Sequence, residues 1–479
     1  MGVVSLRHRL RTLIAPRRPG RWRDSVSRWL WWGTIIGVVS GGGAVLFFCC
    51  LEHGTHLLLH TVAGHHPPGT VGEGGGFPGT GFERPWAIPL VAGGGALLAG
   101  LIVAWLAPEA EGHGTDAAID AVHHEPTSLR GRVAAVKIIA STLVIGSGGS
   151  GGREGPTAQI SATVISQLCR WLRVPTPDAR LAVAAAMASG IGAIFRAPLG
   201  GALLGAELLY RDDLEADAIM PSLISSIVAY CVFGSVYGFQ PIFGNLGTTE
   251  FTAPTELPGF AVLGAAAGAM GWLYAALFYR TTGMFSRSRI PAAIRPAIGG
   301  LVVGVLGLLV PAALGTGYGW IQKEMSADLL TALPLWLVVA IPFAKVAATS
   351  LSIGSGGSGG VFGPGMVIGG ATGAAVWRLA QDIPGVPSSP TPYVVVGMIA
   401  CFGAIAHAPL GVMLMVGEMT ANLSLLAPAM IAVAVAGRVV GDSSIYSSQI
   451  KDRRTARAMR TAAPQPAAPS DALALPHQG

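Results

Sequence analysis

Charge is scarce in this chain: Asp, Glu, Lys and Arg make up 12% of its 479 residues, against 51% hydrophobic ones. With a mean hydropathy of +0.56, there is too little charge to cover the surface of a soluble fold, and the bilayer is the natural solvent. Cysteine is scarce too. The five present, Cys49, Cys50, Cys169, Cys231 and Cys401, stand in apolar stretches without metal-ligand spacing, which excludes a disulfide framework and a cysteine-based metal site. A cleavable leader is not expected either. The basic run from Arg7 to Arg28 is long and the apolar stretch after it exceeds a usual leader core, so Trp29 to Leu51 reads as a retained first span.

What the chain has in abundance is apolar sequence of membrane-crossing length. Examples are Trp29 to Leu51, Trp86 to Ala107, Ala218 to Phe239, Phe260 to Tyr279 and Leu423 to Val440. Recurrence of such stretches excludes a single anchor and predicts a multi-pass integral membrane protein. Arg7, Arg9, Arg11, Arg17, Arg18, Arg21, Arg23 and Arg28 precede the first span with only Asp24 against them, and Lys451, Arg453, Arg454, Arg457 and Arg460 follow the last. By the positive-inside rule both termini are expected in the cytoplasm, and the loop His53 to Arg84, with one Arg, faces out. The net charge of +6 then lies beside anionic headgroups and does not imply nucleic acid. The expected division is a basic segment 1–28, a transmembrane domain 29–454 and a disordered cytoplasmic tail 455–479.

Glycine, with 68 residues, is concentrated where helices would otherwise continue. The heptapeptide Gly-Ser-Gly-Gly-Ser-Gly-Gly occurs at Gly146 to Gly152 and again at Gly354 to Gly360, an offset of 208. Nine residues before each copy stands a lysine, Lys137 and Lys345. Downstream, Gly192 to Gly200 is echoed by Gly403 to Gly411, and nine residues beyond Pro198 and Pro409 stand Glu207 and Glu418. Low complexity does not produce such an echo; two homologous halves do, at about 90–240 and 300–450, with Ser286 to Pro296 near their connection. Duplicated transporters often invert one half against the other and let broken helices meet at the midplane. Amides freed at such breaks need partners, and an anion at a helix N-terminus is one.

Gly146 to Gly151 also fits the dinucleotide pattern GxGxxG. Membrane-helical flanks and the duplication argue against that reading, and no lysine follows at P-loop spacing. His60, His65 and His66 come nearest to a metal cluster, but they fall in a glycine-rich outer loop, and no metal site is expected. No cofactor and no enzymatic activity are expected. A cation transporter on another broken-helix fold would want several acids or carbonyl rings along its path, and among the paired motifs only Glu154 qualifies.

Gly152-Arg153-Glu154-Gly155-Pro156, Gly360-Val361-Phe362-Gly363-Pro364 and Tyr446 resemble the CLC family of chloride channels and chloride/proton antiporters, from about Trp29 to Arg454. The resemblance implies an all-α, multi-pass bundle of two inverted, structurally related halves with many broken or tilted helices. It further implies a homodimer with one chloride path per subunit, the helices from Pro198 and Pro409 onward being candidate dimer surfaces. The membrane domain alone is expected, without the cytoplasmic CBS pair of many relatives. In the resemblance Glu154 is the gate and proton acceptor, and Val361 and Phe362 offer backbone amides to the anion. Tyr446 offers its hydroxyl, and Arg153 and Gly155 beside the gate count with Gly114 among the anion-binding residues, Arg153 either attracting anions or, the better reading, holding the local fold. An acid at membrane depth is a functional candidate on physical grounds as well.

Two positions depart from the family pattern. Where a Gly-Ser-Gly-Ile-Pro motif usually offers a serine to the ion, this chain reads Gly112-His113-Gly114-Thr115-Asp116. His113 then either donates an N–H to the anion, beside Gly114, or merely lines the inner vestibule. Where exchangers commonly carry a proton-relaying glutamate, this chain has Leu208. Glu207, one residue away and about 100° around a helix, is a possible secondary acid but is better read as structural. The expectation is selective chloride transport by a channel or uncoupled transporter with a glutamate gate, chloride/proton exchange being the alternative. The expected location is a bacterial plasma membrane.

Overall fold

The computed structural model describes residues 22–75, 81–246, 251 and 253–462. Arg7 to Arg21 and the tail beyond 462 lie outside the described residues. Within them the chain forms eighteen α-helices and no strand. The first half holds α1 (Trp22–Thr55), prolonged by a π-helical stretch His56–Val62, then α2 (Ala87–Leu106), α3 (Thr115–His123) and α4 (Arg132–Gly146). It continues with α5 (Glu154–Leu172), α6 (Thr176–Ile194), α7 (Pro198–Glu207) and α8 (Ala216–Tyr237). The second half repeats the order: α9 (Leu257–Arg287), α10 (Arg295–Leu309), α11 (Tyr318–Glu324), a short extra α12 (Ala327–Ala332) and α13 (Leu335–Gly354). It closes with α14 (Phe362–Ala380), α15 (Thr391–Ile405), α16 (Pro409–Thr420) and α17 (Leu426–Val440); α18 (Arg453–Ala462) follows. The long α9 packs on α13 to α15 and α17.

Among the described residues five segments are long and apolar enough to cross a bilayer: Ser27–Val62, Ala87–Leu106, Ala216–Tyr237, Pro254–Arg287 and Leu335–Gly354. Four coincide with stretches predicted from sequence. The fifth prediction, Leu423 to Val440, is corrected to a shorter helix starting at Leu426, because Asn422 accepts hydrogen bonds from the amide and hydroxyl of Ser424 and holds a turn there. A second correction concerns the tail. Residues 455–462, expected without structure, continue α18, whose start is fixed by the Asp452 carboxylate on the Thr455 amide and by Arg453 paired with Glu215 and Asp217.

The other helices are short because the sequence stops and restarts them. α6 and α15 end where Arg196 and His407 adopt left-handed φ of 53° and 51°, and the next helices open on Pro198 and Pro409, whose missing N–H costs nothing in a first turn. Gly192-Ala193-Ile194-Phe195-Arg196-Ala197-Pro198 and its echo therefore encode a helix end, a turn and a helix start.

Contacts across the halves come in exchanged pairs. Gly152 donates to Gly360 O and Gly360 to Gly152 O, each at 2.7 Å in an antiparallel bridge. Ser141 bonds Ser358 at 2.9 Å, and Thr349, its counterpart, bonds Ser150 at 2.8 Å. Glu207 accepts from the amides of Leu410 and Gly411, and Glu418 from those of Leu199 and Gly200. Such exchange is the mark of a local two-fold axis. The helices that meet across it at their N-termini are α5 and α14.

The equal spacing of the two lysines in the two halves also gains a reason. Lys137 Nζ donates to the carbonyls of Ala110 and Gly112, and Lys345 Nζ to those of Ala313 and Gly315, all from fully buried positions. Each ammonium thus holds the Gly-x-Gly loop before a short helix, α3 in one half and α11 in the other, and takes its partners from carbonyls that the loop cannot pair within itself.

Candidate functional site

The site lies where α5 and α14 meet. Both begin with an x-Gly-Pro sequence, and proline in a first helical turn wastes no hydrogen bond because that amide has no helical partner in any case. The remaining amides point outward from the two helix starts, an arrangement that attracts negative charge. In this structure a carboxylate fills the position. Glu154, 1% exposed, accepts from the Gly363 amide at 2.9 Å through Oε1, and its Oε2 has no partner. Gly152 and Gly360 leave room for it: a β-carbon at either would run into the Glu154 carboxylate.

Around that carboxylate the other sequence-predicted residues gather as follows. Val361 and Phe362 are buried at the start of α14, with Val361 O held by the Tyr274 hydroxyl at 3.0 Å. The Phe362 ring sits 4.0 Å from that of Phe402, which in turn lies 6.4 Å from the ring of Tyr446. Tyr446 is fully buried and its hydroxyl has no partner. His113 stands 5.5 Å from Tyr446, ring to ring. Gly155 approaches the His113 carbonyl and Gly360 so closely that a side chain would not fit, and Gly114, at φ 84°, faces Gln159 and Lys137 in the same loop.

Arg153 is engaged elsewhere. Its guanidinium pairs with Glu73 at 2.6 Å and lies 5.2 Å from the Tyr318 ring and 5.0 Å from that of Phe48. There it lines a cavity of about 680 Å³ with Glu52, His56, His60, Glu73 and Trp320. The rings of His60 and His66 are 4.6 Å apart, while His65 packs on Phe82 instead. Glu207 is not on this line at all, being engaged as the cap of α16, and Leu208 is wholly buried beside it.

Several neighbours were not legible from the motifs. At the Tyr446 end, Asp116 accepts from His113 Nε2 at 3.2 Å and from the amides of Ser447 and Ser448 and the hydroxyl of Ser447. Burial alone would raise its pKa, but the adjacent His113 and the serine hydrogen bonds together hold the carboxyl down to about 2. His113 therefore spends one ring nitrogen on Asp116, and Nδ1 is the nitrogen left without a partner. Phe195 and Tyr318 were also missed. The Gly315-Thr316-Gly317 loop before Tyr318 is the counterpart of Gly112-His113-Gly114, but α12 changes the offset from 208 to 203 and hides the match.

The geometry has close parallels among known proteins. The family profile described as "Voltage gated chloride channel" matches residues 95–441. A ClcB-like chloride channel protein of Ralstonia nicotianae is 34% identical over 77% of this chain and 86% of its own length. The voltage-gated ClC-type chloride channel ClcB of Citrobacter koseri is 32% identical over 65% of this chain and 74% of its own. Among solved structures, a slow cyanobacterial Cl−/H+ antiporter superposes with a TM-score of 0.74 at 22% identity, covering 91% of this chain and 98% of that one. A CLC-type fluoride/proton antiporter does so with a TM-score of 0.74 at 19% identity, covering 90% of this chain and all of that one.

Proposed function

From the premise that this chain belongs to the voltage gated chloride channel (CLC) family of anion transport proteins, we propose that it passes chloride across the membrane through one path per subunit, with Glu154 as the gate. One observation carries the reading: a buried carboxylate from one half sits on the amide of Gly363 at the helix start of the other. A halide is suited to the same position, since it is held by backbone dipoles without a full positive partner and can leave quickly. When the carboxylate swings away or takes a proton, chloride replaces it. Val361, Phe362 and Gly155 supply backbone at the centre, Tyr446 its unpartnered hydroxyl, and His113 Nδ1 a further polar contact toward the cytoplasm. Arg153, paired with Glu73, holds the outer mouth in shape. No chemistry on a substrate is required, so no enzymatic role is proposed.

Uncoupled transport is the preferred form, because Leu208 has no proton to relay and Glu207 is committed to the α16 amides. Chloride/proton exchange is the second reading; the unpartnered Glu154 Oε2 favours it, being free to bind a proton. The protein acts as a homodimer in a bacterial inner membrane with both termini in the cytoplasm. Leu199 and Leu410, exposed on α7 and α16, suit a subunit contact.

The deciding measurement is the reversal potential of purified protein in liposomes under combined chloride and pH gradients, for wild type and Glu154→Ala. Reversal that follows chloride alone is expected. A shift with the proton gradient would establish exchange, and flux with an unchanged pH response in Glu154→Ala would remove the gate assignment.

A further inference from the structure

Tyr318 opens α11 at the outer end of the path, is 2% exposed, and leaves its hydroxyl without a hydrogen-bond partner. A buried, unpaired hydroxyl in a well-packed interior costs free energy unless something transient uses it. Its position identifies the user. A β-carbon built on Gly363 would overlap Tyr318 Oη and stand 3.2 Å from Glu154 Oε2, so both unpartnered oxygens lie beside Gly363, whose amide donates to Glu154 Oε1. We propose that Tyr318 is a ligand of the transported anion. When the Glu154 carboxylate withdraws, the Tyr318 O–H and the Gly363 N–H together hold the ion at the outer end of the path.

The surroundings prepare that role. Lys345 fixes the Gly315 loop that delivers Tyr318, as Lys137 fixes the loop that delivers His113 and Thr115 at the other end. The Gly315 amide is tied in addition to Gly148 O of the first half at 3.1 Å. The Arg153 guanidinium, 5.2 Å from the ring centroid, draws electron density from the phenol and makes its O–H a better donor toward an anion. Phe195 and Phe243, at 6.2 and 6.4 Å, keep the ring in place. The path thus has a tyrosine hydroxyl at each end, Tyr446 and Tyr318, with Glu154 between them. Unlike Tyr446, Tyr318 belongs to no motif of the family resemblance.

The inference rests on the Glu154 gate, and the experiment separates the two. Tyr318→Phe removes one O–H and keeps the ring, so packing against Arg153 survives. Chloride binding to the purified dimer by titration calorimetry, and liposome flux of chloride, bromide and nitrate, are measured for wild type, Tyr318→Phe, Glu154→Ala and the double variant. The expected result is a loss of chloride affinity of about tenfold, the order of one hydrogen bond to a charged partner, together with a changed flux ratio among the three anions. Both effects should persist in the Glu154→Ala background, where only the ion is left to meet the hydroxyl. An effect confined to the background that retains Glu154 would mean the hydroxyl serves the carboxylate alone, and would overturn the proposal. So would unchanged affinity and unchanged ratios in both backgrounds. Failure of Glu154→Ala by itself to alter flux would instead remove the gate. Should Tyr318→Phe lose its monodisperse elution, Tyr318→His, which restores a donor, gives the second comparison: recovery of the wild-type flux ratio supports the ligand role and no recovery overturns it.

Discussion

Glu324 illustrates how much a single side chain can cost this fold. It ends α11, a helix apart from the five membrane-crossing ones, where it is fully buried and neither carboxylate oxygen has a partner. Burial pushes its carboxyl up to about 8. In an unfolded chain the value returns to about 4.3. A group whose pKa rises on folding contributes its stability below the unfolded value and loses it as pH climbs through the folded one. Thermal unfolding in detergent should therefore show Tm falling from about pH 4 toward pH 8, and Glu324→Gln should flatten that part of the curve. An identical pH profile for the variant would mean that Glu324 is paired or hydrated in the protein. Asp116 behaves in the opposite sense: with its carboxyl held at about 2, it stays ionised across the neutral range and keeps its hold on Ser447 and Ser448.

Helices α7 and α16 hold each other through Glu207 and Glu418, and this sets the expected effect of losing either acid. Glu207→Ala and Glu418→Ala each remove a charged acceptor from two amides, at a cost of about 2 kcal/mol per variant. Both should lower Tm by similar amounts, while the reversal potential of Glu207→Ala under a pH gradient stays that of wild type. A change in coupling would make Glu207 a proton carrier after all. At this scale much was legible in the sequence. The heptapeptide repeats announced helix breaks, and Pro198 and Pro409 announced helix starts, because glycine and proline act on the backbone itself and leave their mark at fixed spacing. Leu335–Gly354 was not singled out, and Leu423 to Val440 was taken three residues too long, because hydropathy does not register the Asn422 turn. Asp116 escaped notice for a different reason: its partners Ser447 and Ser448 are more than three hundred residues further along the chain, and no local pattern encodes a contact of that separation.

The molecule as a whole was readable as two halves from their echoes. Sequence echoes cover the second part of each unit best, so α1 and α9 went unmatched, and the segment before α9, a helix that packs on α13 to α15 and α17, is a natural place to divide the chain. A chain cut in that segment, between residues 247 and 253, should yield two fragments that co-purify when expressed together, because the interface between them carries the exchanged bonds of Gly152 with Gly360, Ser141 with Ser358 and Thr349 with Ser150. Recovery of either fragment alone in a folded, monodisperse form would contradict the dependence of one on the other.

The exchanged bonds have an implication about origin. Each unit carries, on its own sequence, both members of every such bond: Ser141 and Ser150 lie in one, Thr349 and Ser358 in the other. A polypeptide of half this length, threaded into the bilayer in either direction at random, would already have possessed everything needed to recognise an upside-down copy of itself. Fusion of the two genes would then have let the copies diverge, and a lone acid such as Glu154, facing Phe362 at the matching place, is what such divergence leaves behind.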